Sequence, residues 1–397
     1  MSHRYRMYPT ESQAETMTVH CAHARFVWNI ALEQCDHAKM LGQYADQKLW
    51  SKNLAEARAH NEWLGAGAST IQQTAFRDLQ QAFRNWWKNP GHFGHPKWRV
   101  KGRNEGFAVR DLFVKKLNRK WASISIPKLG HVKFRLSRPL PETKSARVTL
   151  DRSGRWHVSF TAIPPEVEGP GGGTIVGIDR GVAINYQCSD GRKWNVSGRA
   201  EKEKARKLRL QRKRARQQKG SNRRECTRRK LAKISAKEAD RRKDSIEKIT
   251  TELAQTADII RIEDLKVTNM MKSAKGTVEN PGKNVAQKRG LNKAISEVGW
   301  SIFSKRLEDK IGDRLEKVPA AFTSQRCSCC KHVDKKSRNN QADFLCTSCG
   351  YSDNADLNAA KNIAAGLVVF GRGGDGAIRP PGETSTCPVA SDLRVVA

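Results

Sequence analysis

The chain has 397 residues and carries 74 Lys and Arg against 40 Asp and Glu, a formal charge of +34. That length leaves room for two or three domains that each bury a core without disulfide staples. The charge far exceeds what solubility needs and calls for a polyanionic partner, nucleic acid foremost. The opening segment MSHRYRMYPTESQ has no apolar run, and no stretch approaches the roughly 20 apolar residues of a membrane span, so no membrane role and an intracellular, cytoplasmic setting are expected.

In chain order, RYRMYP reads as a short strand leading into a helix from about Glu11, with Met17, Cys21, Ala24, Val27, Trp28 and Ala31 as its apolar stripe. Helical patterning returns at 45–60 and 69–88. In the second, Ile71, Ala75, Leu79, Ala82, Phe83, Trp86 and Trp87 share a face, while Gln72, Gln73, Arg77, Arg84 and Lys88 project elsewhere. From Pro90 to Ile163 short alternating runs broken by Gly, Pro and Asn predict strands of an antiparallel sheet or barrel. PPEVEGPGGG at 164–173 reads as a linker closing a mixed first module.

TIVGID is then a buried strand ending in Asp179, followed by a hairpin-like pair turning at Ser189-Asp190-Gly191. Residues 199–243 hold twenty-one Lys or Arg and five acids, and read as two basic helices broken near Lys219 to Asn222. One sign of charge at that density points to phosphate contact rather than to a merely solvated face. An amphipathic helix at 245–256 precedes a second buried strand, DIIRIEDLKV, in which Glu263 follows Ile262. Residues 270–290 read as a mobile loop, Leu291 to Arg314 as a helix, and Lys317-Val318 as a short strand. A last helix begins near Asp356, and the segment 371–397 reads as a disordered tail.

Two sets of residues carry chemistry. Cys327, Cys330, Cys346 and Cys349 form C-x₂-C-x₁₅-C-x₂-C, the spacing of a tetrahedral four-thiolate zinc site. Four sulfurs leave the metal no open position, so one zinc ion here is structural. Cys329 would shift the register by one and is set aside from the ligand set. Asp179 and Glu263 each end an apolar strand, and Asp356 opens a helix; if they converge, they can hold two Mg²⁺ about 3.5–4 Å apart for phosphodiester hydrolysis. Spacing alone does not bring them together.

RYRMYPTESQ, HARFVWNIALE, IQQTAFRDLQQAFRNWW, GIDRGV, RIEDLKV, FTSQRCSCC, CTSCGY and DLNAAKNIAAG stand in the order seen in the TnpB proteins, transposon-encoded relatives of the type V CRISPR effectors. The chain resembles them from about residue 4 to 366. The resemblance implies an α+β multidomain protein: a wedge-type β-barrel (1–10 and 90–163) with a helical recognition insertion (11–89), and a RuvC-like, RNase H fold nuclease domain (174–320 and 351–370). The basic helical part (199–256) lies within that domain, and a zinc ribbon that binds target nucleic acid (321–350) is inserted in it. It further implies Asp179, Glu263 and Asp356 as the catalytic Mg²⁺ ligands. Guide RNA, target DNA and their heteroduplex are the implied partners, in a prokaryotic protein that joins the nucleoid when bound to DNA. The 69–88 helix resembles the one that reads a short motif beside the target, which makes Thr70, Gln73 and Arg77 candidate nucleic-acid contacts.

Three positions depart from the family pattern. Lys331 stands where glycine is common, Arg180 where an apolar residue is common, and Asp353 is offset from a usual neighbouring acid. None removes a carboxylate, so an active RNA-guided DNA endonuclease is expected. The alternatives are a catalytically silent RNA-guided repressor, whose signature would be a lost carboxylate, and an RNA-independent DDE-type transposase.

Overall fold

The structure is a computed structural model that describes residues 2–42, 47–162, 166–196, 201–338, 340 and 342–366. Residues 164 and 165 of the expected linker, and the whole expected tail, lie outside the described residues. Two compact units emerge: Met1–Ile163 with Arg206–Ile234, and Pro164–Ala205 with the described residues from Ser235 onward. No helix among the described residues is long and apolar enough to cross a membrane.

The first unit opens with β1 (Ser2–Arg6) and α1 (Glu11–Met40). Thr10 starts that helix through a reciprocal capping box with Gln13, which satisfies two backbone N–H groups otherwise left orphaned. The predicted stripe of α1 is buried in full, together with His20 and His23. After α2 (Gln47–His60) and α3 (Glu62–Ala66), α4 (Ser69–Lys88) buries Ile71, Ala75, Leu79 and Phe83. Two expectations for α4 change. Gln72 is buried, its amide donating to the Leu64 carbonyl and accepting from Arg58. Trp87, expected inside, is 53% exposed and stacks on Phe83.

Strands β2 (Gly106–Arg110), β3 (Val114–Lys116), β4 (Trp121–Ile126), β5 (Gly130–Arg135), β6 (Ser145–Leu150) and β7 (Trp156–Thr161) complete the unit. They form an antiparallel sheet β1-β7-β6-β2 and a second one, β3-β4-β5. A single bridge between Met7 and Phe134 joins the end of β1 to β5. One apolar core runs through helices and sheets alike, from Tyr5 and Met17 to Leu79, Phe134 and Phe160, so the helices pack on the strands without a boundary at residue 89.

The second unit is built on a mixed sheet in the order β10-β9-β8-β11-β12. Its strands are β8 (Ile175–Asp179), β9 (Tyr186–Cys188), β10 (Lys193–Trp194), β11 (Ile259–Glu263) and β12 (Leu315–Val318). β8, β11 and β12 run parallel, and β9 and β10 add an antiparallel edge. Between β10 and β11 lie α5 (Glu201–Arg216) and α6 (Asn222–Thr256). The break between them comes where expected, with Gly220 at φ +87°. The amphipathic segment 245–256 is not a separate helix. It is the C-terminal end of α6, whose Ile246, Ile249 and Leu253 reach the core and anchor the basic turns before them.

The stretch read as a loop at 270–290 holds the end of α7 (Val267–Met270) and the start of α8 (Val285–Val298). The helix expected over 291–314 is two helices, α8 and α9 (Trp300–Ile311). Gly299 sits between them at φ +83°, a left-handed conformation that no helix continues through. The ribbon contributes β13 (Asp343–Leu345) and β14 (Ser352–Asn354), and α10 (Ala355–Ala365) closes the described chain.

Candidate active site and metal centre

Parallel pairing sets the first two acids side by side. Ile178 of β8 is in register with Ile262 of β11, so Asp179 and Glu263, the next residue on each, end adjacent strands at the same edge. The apolar residues that precede them are buried and hold both strands in the core. α10 lies against β8, and Gly177 permits it: a Cβ there would collide with the Ala360 carbonyl oxygen and the Ala364 nitrogen. The glycine of the GID motif therefore serves helix–sheet packing. Asn354 caps α10 by accepting from the backbone N–H of Asp356 and Leu357, which fixes Asp356 in the first turn.

The three carboxylates share one electrostatic environment. Burial, followed by the charges of Glu263 and Asp356, pushes Asp179 up to about 7. Burial also raises Glu263, against a 2.5 Å hydrogen bond from the Thr323 hydroxyl and the nearby Arg180 charge. Asp356 is raised by burial, and Arg338, 3.7 Å away, opposes the shift. Burial disfavours all three charges, and Asp179 also feels the other two; a hard divalent cation would relieve that burden, and oxygen-only ligation suits Mg²⁺ or its like. Among the described residues, only the four cysteines form a group of three or more with ligand atoms all within 4.8 Å of one another.

A pH dependence follows. Asp179 holds a proton in the native state up to about 7, whereas an unfolded Asp loses it near about 3.9. At Asp179 the native state then binds more protons between those values, so its contribution to stability in divalent-free buffer with zinc retained is expected to fall by a few kcal/mol from about pH 4 to 7. Burial holds His157, His20 and His23 below the usual histidine value, and they contribute in the opposite sense over the same range. Urea midpoints of the parent and of Asp179→Asn therefore check it as a difference: Asp179→Asn should make the slope of stability against pH more positive, and an unchanged slope would contradict the shift.

Several residues around the acids carry no motif of their own. Arg180 is 6% exposed, donates to the Glu263 carbonyl and to Ser304 Oγ at 2.7 Å, and so ties the ends of β8 and β11 to α9. That explains a buried arginine at a position where an apolar residue was the expectation. Asn358 donates to the Arg326 carbonyl at 2.8 Å and accepts from the Ser328 N–H at 2.9 Å. Asn362 donates to the Thr323 and Arg326 carbonyls at 3.0 and 2.6 Å. These asparagines, four residues apart on α10, fasten the segment that carries Thr323 and the first cysteines. Two buried amides on an otherwise apolar helix face were the available signal. Asp353 is committed elsewhere, accepting from Tyr351 Oη at 2.5 Å and Lys361 Nζ at 2.7 Å.

The cysteines fall as their spacing predicts. All four sulfurs lie within 4.8 Å of one another, with Cys327–Cys349 at 3.8 Å and Cys330–Cys346 at 3.5 Å. A tetrahedron with metal–sulfur bonds of about 2.3 Å has edges of about 3.8 Å, so the set fits one zinc ion. Burial opposes ionisation of Cys346, yet the N–H groups of Cys349 and Ser348 aim at its sulfur, and its thiol falls to about 7.

The two knuckles share one backbone pattern. Cys327 N–H donates to the His332 carbonyl and Lys331 N–H to that of Cys327; Cys346 and Gly350 repeat this with Tyr351 and Cys346. The residue after each second cysteine has positive φ, +73° at Gly350 and +66° at Lys331. This is why glycine suits position 331. Lys331→Gly is expected to raise the stability of zinc-loaded protein by about 1 kcal/mol, read from urea unfolding; a loss of stability would contradict the strain.

Thr70, Gln73 and Arg77 are exposed along one side of α4. They belong to the first unit, and nothing in the described geometry gives them a ligand.

A family profile described as "Probable transposase" (OrfB_IS605) matches residues 158–274, one described as "Cas12f1-like, TNB domain" matches 300–363, and a "Helix-turn-helix domain" profile matches 1–39. In this structure the last stretch is β1 followed by most of the single helix α1. The chain is 34% identical over 381 residues to the Escherichia coli (strain K12) protein named "Putative RNA-guided DNA endonuclease InsQ", spanning 93% of each chain. It is 32% identical over 400 residues to a Streptomyces pristinaespiralis protein of the same endonuclease description, spanning 96% of this chain and 92% of that one. Among solved structures, the protein of a Cas12f1–sgRNA–target DNA complex matches with a TM-score of 0.55 at 15% identity, covering 89% of this chain and 83% of that one, a likeness of fold.

Proposed function

The chain belongs to the TnpB family of RNA-guided DNA endonucleases, kin to the miniature type V effectors, and we propose that it cuts DNA with Mg²⁺ held by Asp179, Glu263 and Asp356. The observation that carries this reading is the electrostatic burden on Asp179 from burial and from the charges of Glu263 and Asp356, the acids at the end of β11 and the start of α10. Two Mg²⁺, when bound there, would polarise a scissile phosphate and lower the pKa of the attacking water. The chain's own groups prepare that arrangement. Thr323 holds one Glu263 oxygen in place, Arg180 fixes the ends of the two strands, and Asn354 sets the helical turn that presents Asp356.

On this reading Met1–Ile163 of the first unit is the wedge-type module with its helical insertion; Arg206–Ile234, though grouped with it, belongs to the basic helical part of a RuvC-like domain that the second unit forms with the zinc ribbon inserted before α10. Thr70, Gln73 and Arg77 are then placed to read the motif beside the target. Sequence specificity comes from guide–target pairing, while protein contacts read backbone and shape. A silent repressor would be expected to lack one of the three acids, and all three are present.

The test is to purify the chain, sequence the RNA that accompanies it, and challenge the complex with DNA matching that RNA. A discrete RNA species and Mg²⁺-dependent cutting of matched DNA alone are expected. Strand transfer by RNA-free protein would instead favour a DDE-type transposase.

A further inference from the structure

A cleft of about 1290 Å³ in the first unit is lined by the segment 97–106, the 149–154 turn, strand residues of the four-stranded sheet and the 225–233 part of α6. Nine Lys or Arg line it against three acids, so a polyanion is the complementary occupant. Arg103, Arg152 and Lys233 stand exposed in the lining.

One lining residue is aromatic. Trp98 is 56% exposed, yet its neighbours are pinned on both sides. Trp28 Nε1 donates to the Lys97 carbonyl at 3.0 Å, Asn29 exchanges two hydrogen bonds with the Arg99 backbone, and the Arg99 guanidinium lies 3.7 Å over the Trp28 ring. The backbone on either side is thus fixed while the indole is left in solvent. The 149–154 part of the lining is similarly preset: the Asp151 carboxylate accepts from the Ser153 and Arg155 N–H groups and shapes the turn that offers Arg152. An aromatic face held rigid among cations is the form of a base-stacking platform.

We propose that this cleft binds an unpaired stretch of RNA, with one base stacked on Trp98 and flanking phosphates met by Arg103, Arg152 and Lys233. Bases inside a duplex already stack on one another and offer no free face, so the occupant is a single-stranded or looped segment. The choice of RNA over single-stranded DNA rests on the guided-endonuclease reading, in which RNA is the strand held before any target arrives.

The test uses the full chain with two probes, the RNA that co-purifies and a synthetic single-stranded oligouridine, across a salt series. Trp98→Ala should weaken binding of both by about 5- to 150-fold with the salt slope unchanged, and Trp98→Tyr should restore most of it. Removing Arg103, Arg152 and Lys233 together should lower the slope of log affinity against log salt by about 0.7 per lost contact. Wild-type RNA affinity in Trp98→Ala would overturn the proposal, as would an equal loss of duplex-DNA affinity. Failure to recover any RNA from cells would sink the guided reading, whereas Trp98-dependent oligouridine binding would still support the cleft.

Discussion

Alanine at Asp179, Glu263 or Asp356 is expected to slow RNA-guided DNA cleavage by about a thousandfold or more while leaving RNA and target binding within about twofold. A cation held by these oxygens would supply several kcal/mol of charge stabilisation in the transition state, and each 1.4 kcal/mol lost is about tenfold in rate. The same substitutions separate chemistry from folding. Asp179 sits in a site where burial and two neighbouring carboxylates all disfavour its charge. Removing it relieves that burden, so Asp179→Ala should be as stable as the parent protein, or more so, in divalent-free buffer near neutral pH. An inactive and more stable variant is what a strained metal site produces. Undiminished cutting by any one of the three variants would remove that residue from the catalytic set.

Cys346→Ala is expected to drop bound zinc from one ion per chain to near zero, expose 321–350 to protease, and abolish cleavage with it. Among the described residues the ribbon's buried apolar core is Cys327, Phe344, Cys346 and Ala355, and two of those are proposed zinc ligands. So little burial cannot offset the ordering of some thirty residues, whereas metal binding contributes about 10–16 kcal/mol in comparable peptides. Catalysis should fail because the ribbon and its flanks supply Thr323 to Glu263 and Arg338 to Asp356. Zinc content by elemental analysis, limited proteolysis and a cleavage assay read the three effects. A folded, zinc-free variant with normal cutting would show that the ribbon is dispensable to the acids.

Much of this was legible in the sequence because it is local. The α1 stripe, the helix start near Glu11, the turn near Gly220 and the cysteine knuckles are each set by neighbours within a few residues. The errors arose where a short pattern continued into a longer one or was cut by one residue. The amphipathic 245–256 turns looked separate because the basic turns before them lack a core face, yet no breaker divides them. Gly299 looked tolerable inside a helix, and its left-handed conformation ends one. Gln72 was placed outside by its polarity, although Arg58 and Leu64 meet its amide inside.

The candidate site divides in the same way. Three acids could be named, but not their convergence, which depends on the parallel register of β8 and β11 and on the close approach allowed at Gly177. Arg180, Thr323, Asn358 and Asn362 act through partners 30 to 124 residues away. No spacing rule connects them, and only the folded chain reveals what each holds.

The acids also enter the chain in a telling order: Asp179, then Glu263, and only after the cysteine knuckles Asp356, on the last described helix. A polypeptide broken between Lys233 and α10 carries every residue that lines the basic cleft but lacks Asp356, the proposed third ligand. On the proposed reading such truncated products hold nucleic acid without cutting it, and act as competitors of the whole protein rather than as stray cutters of the genome.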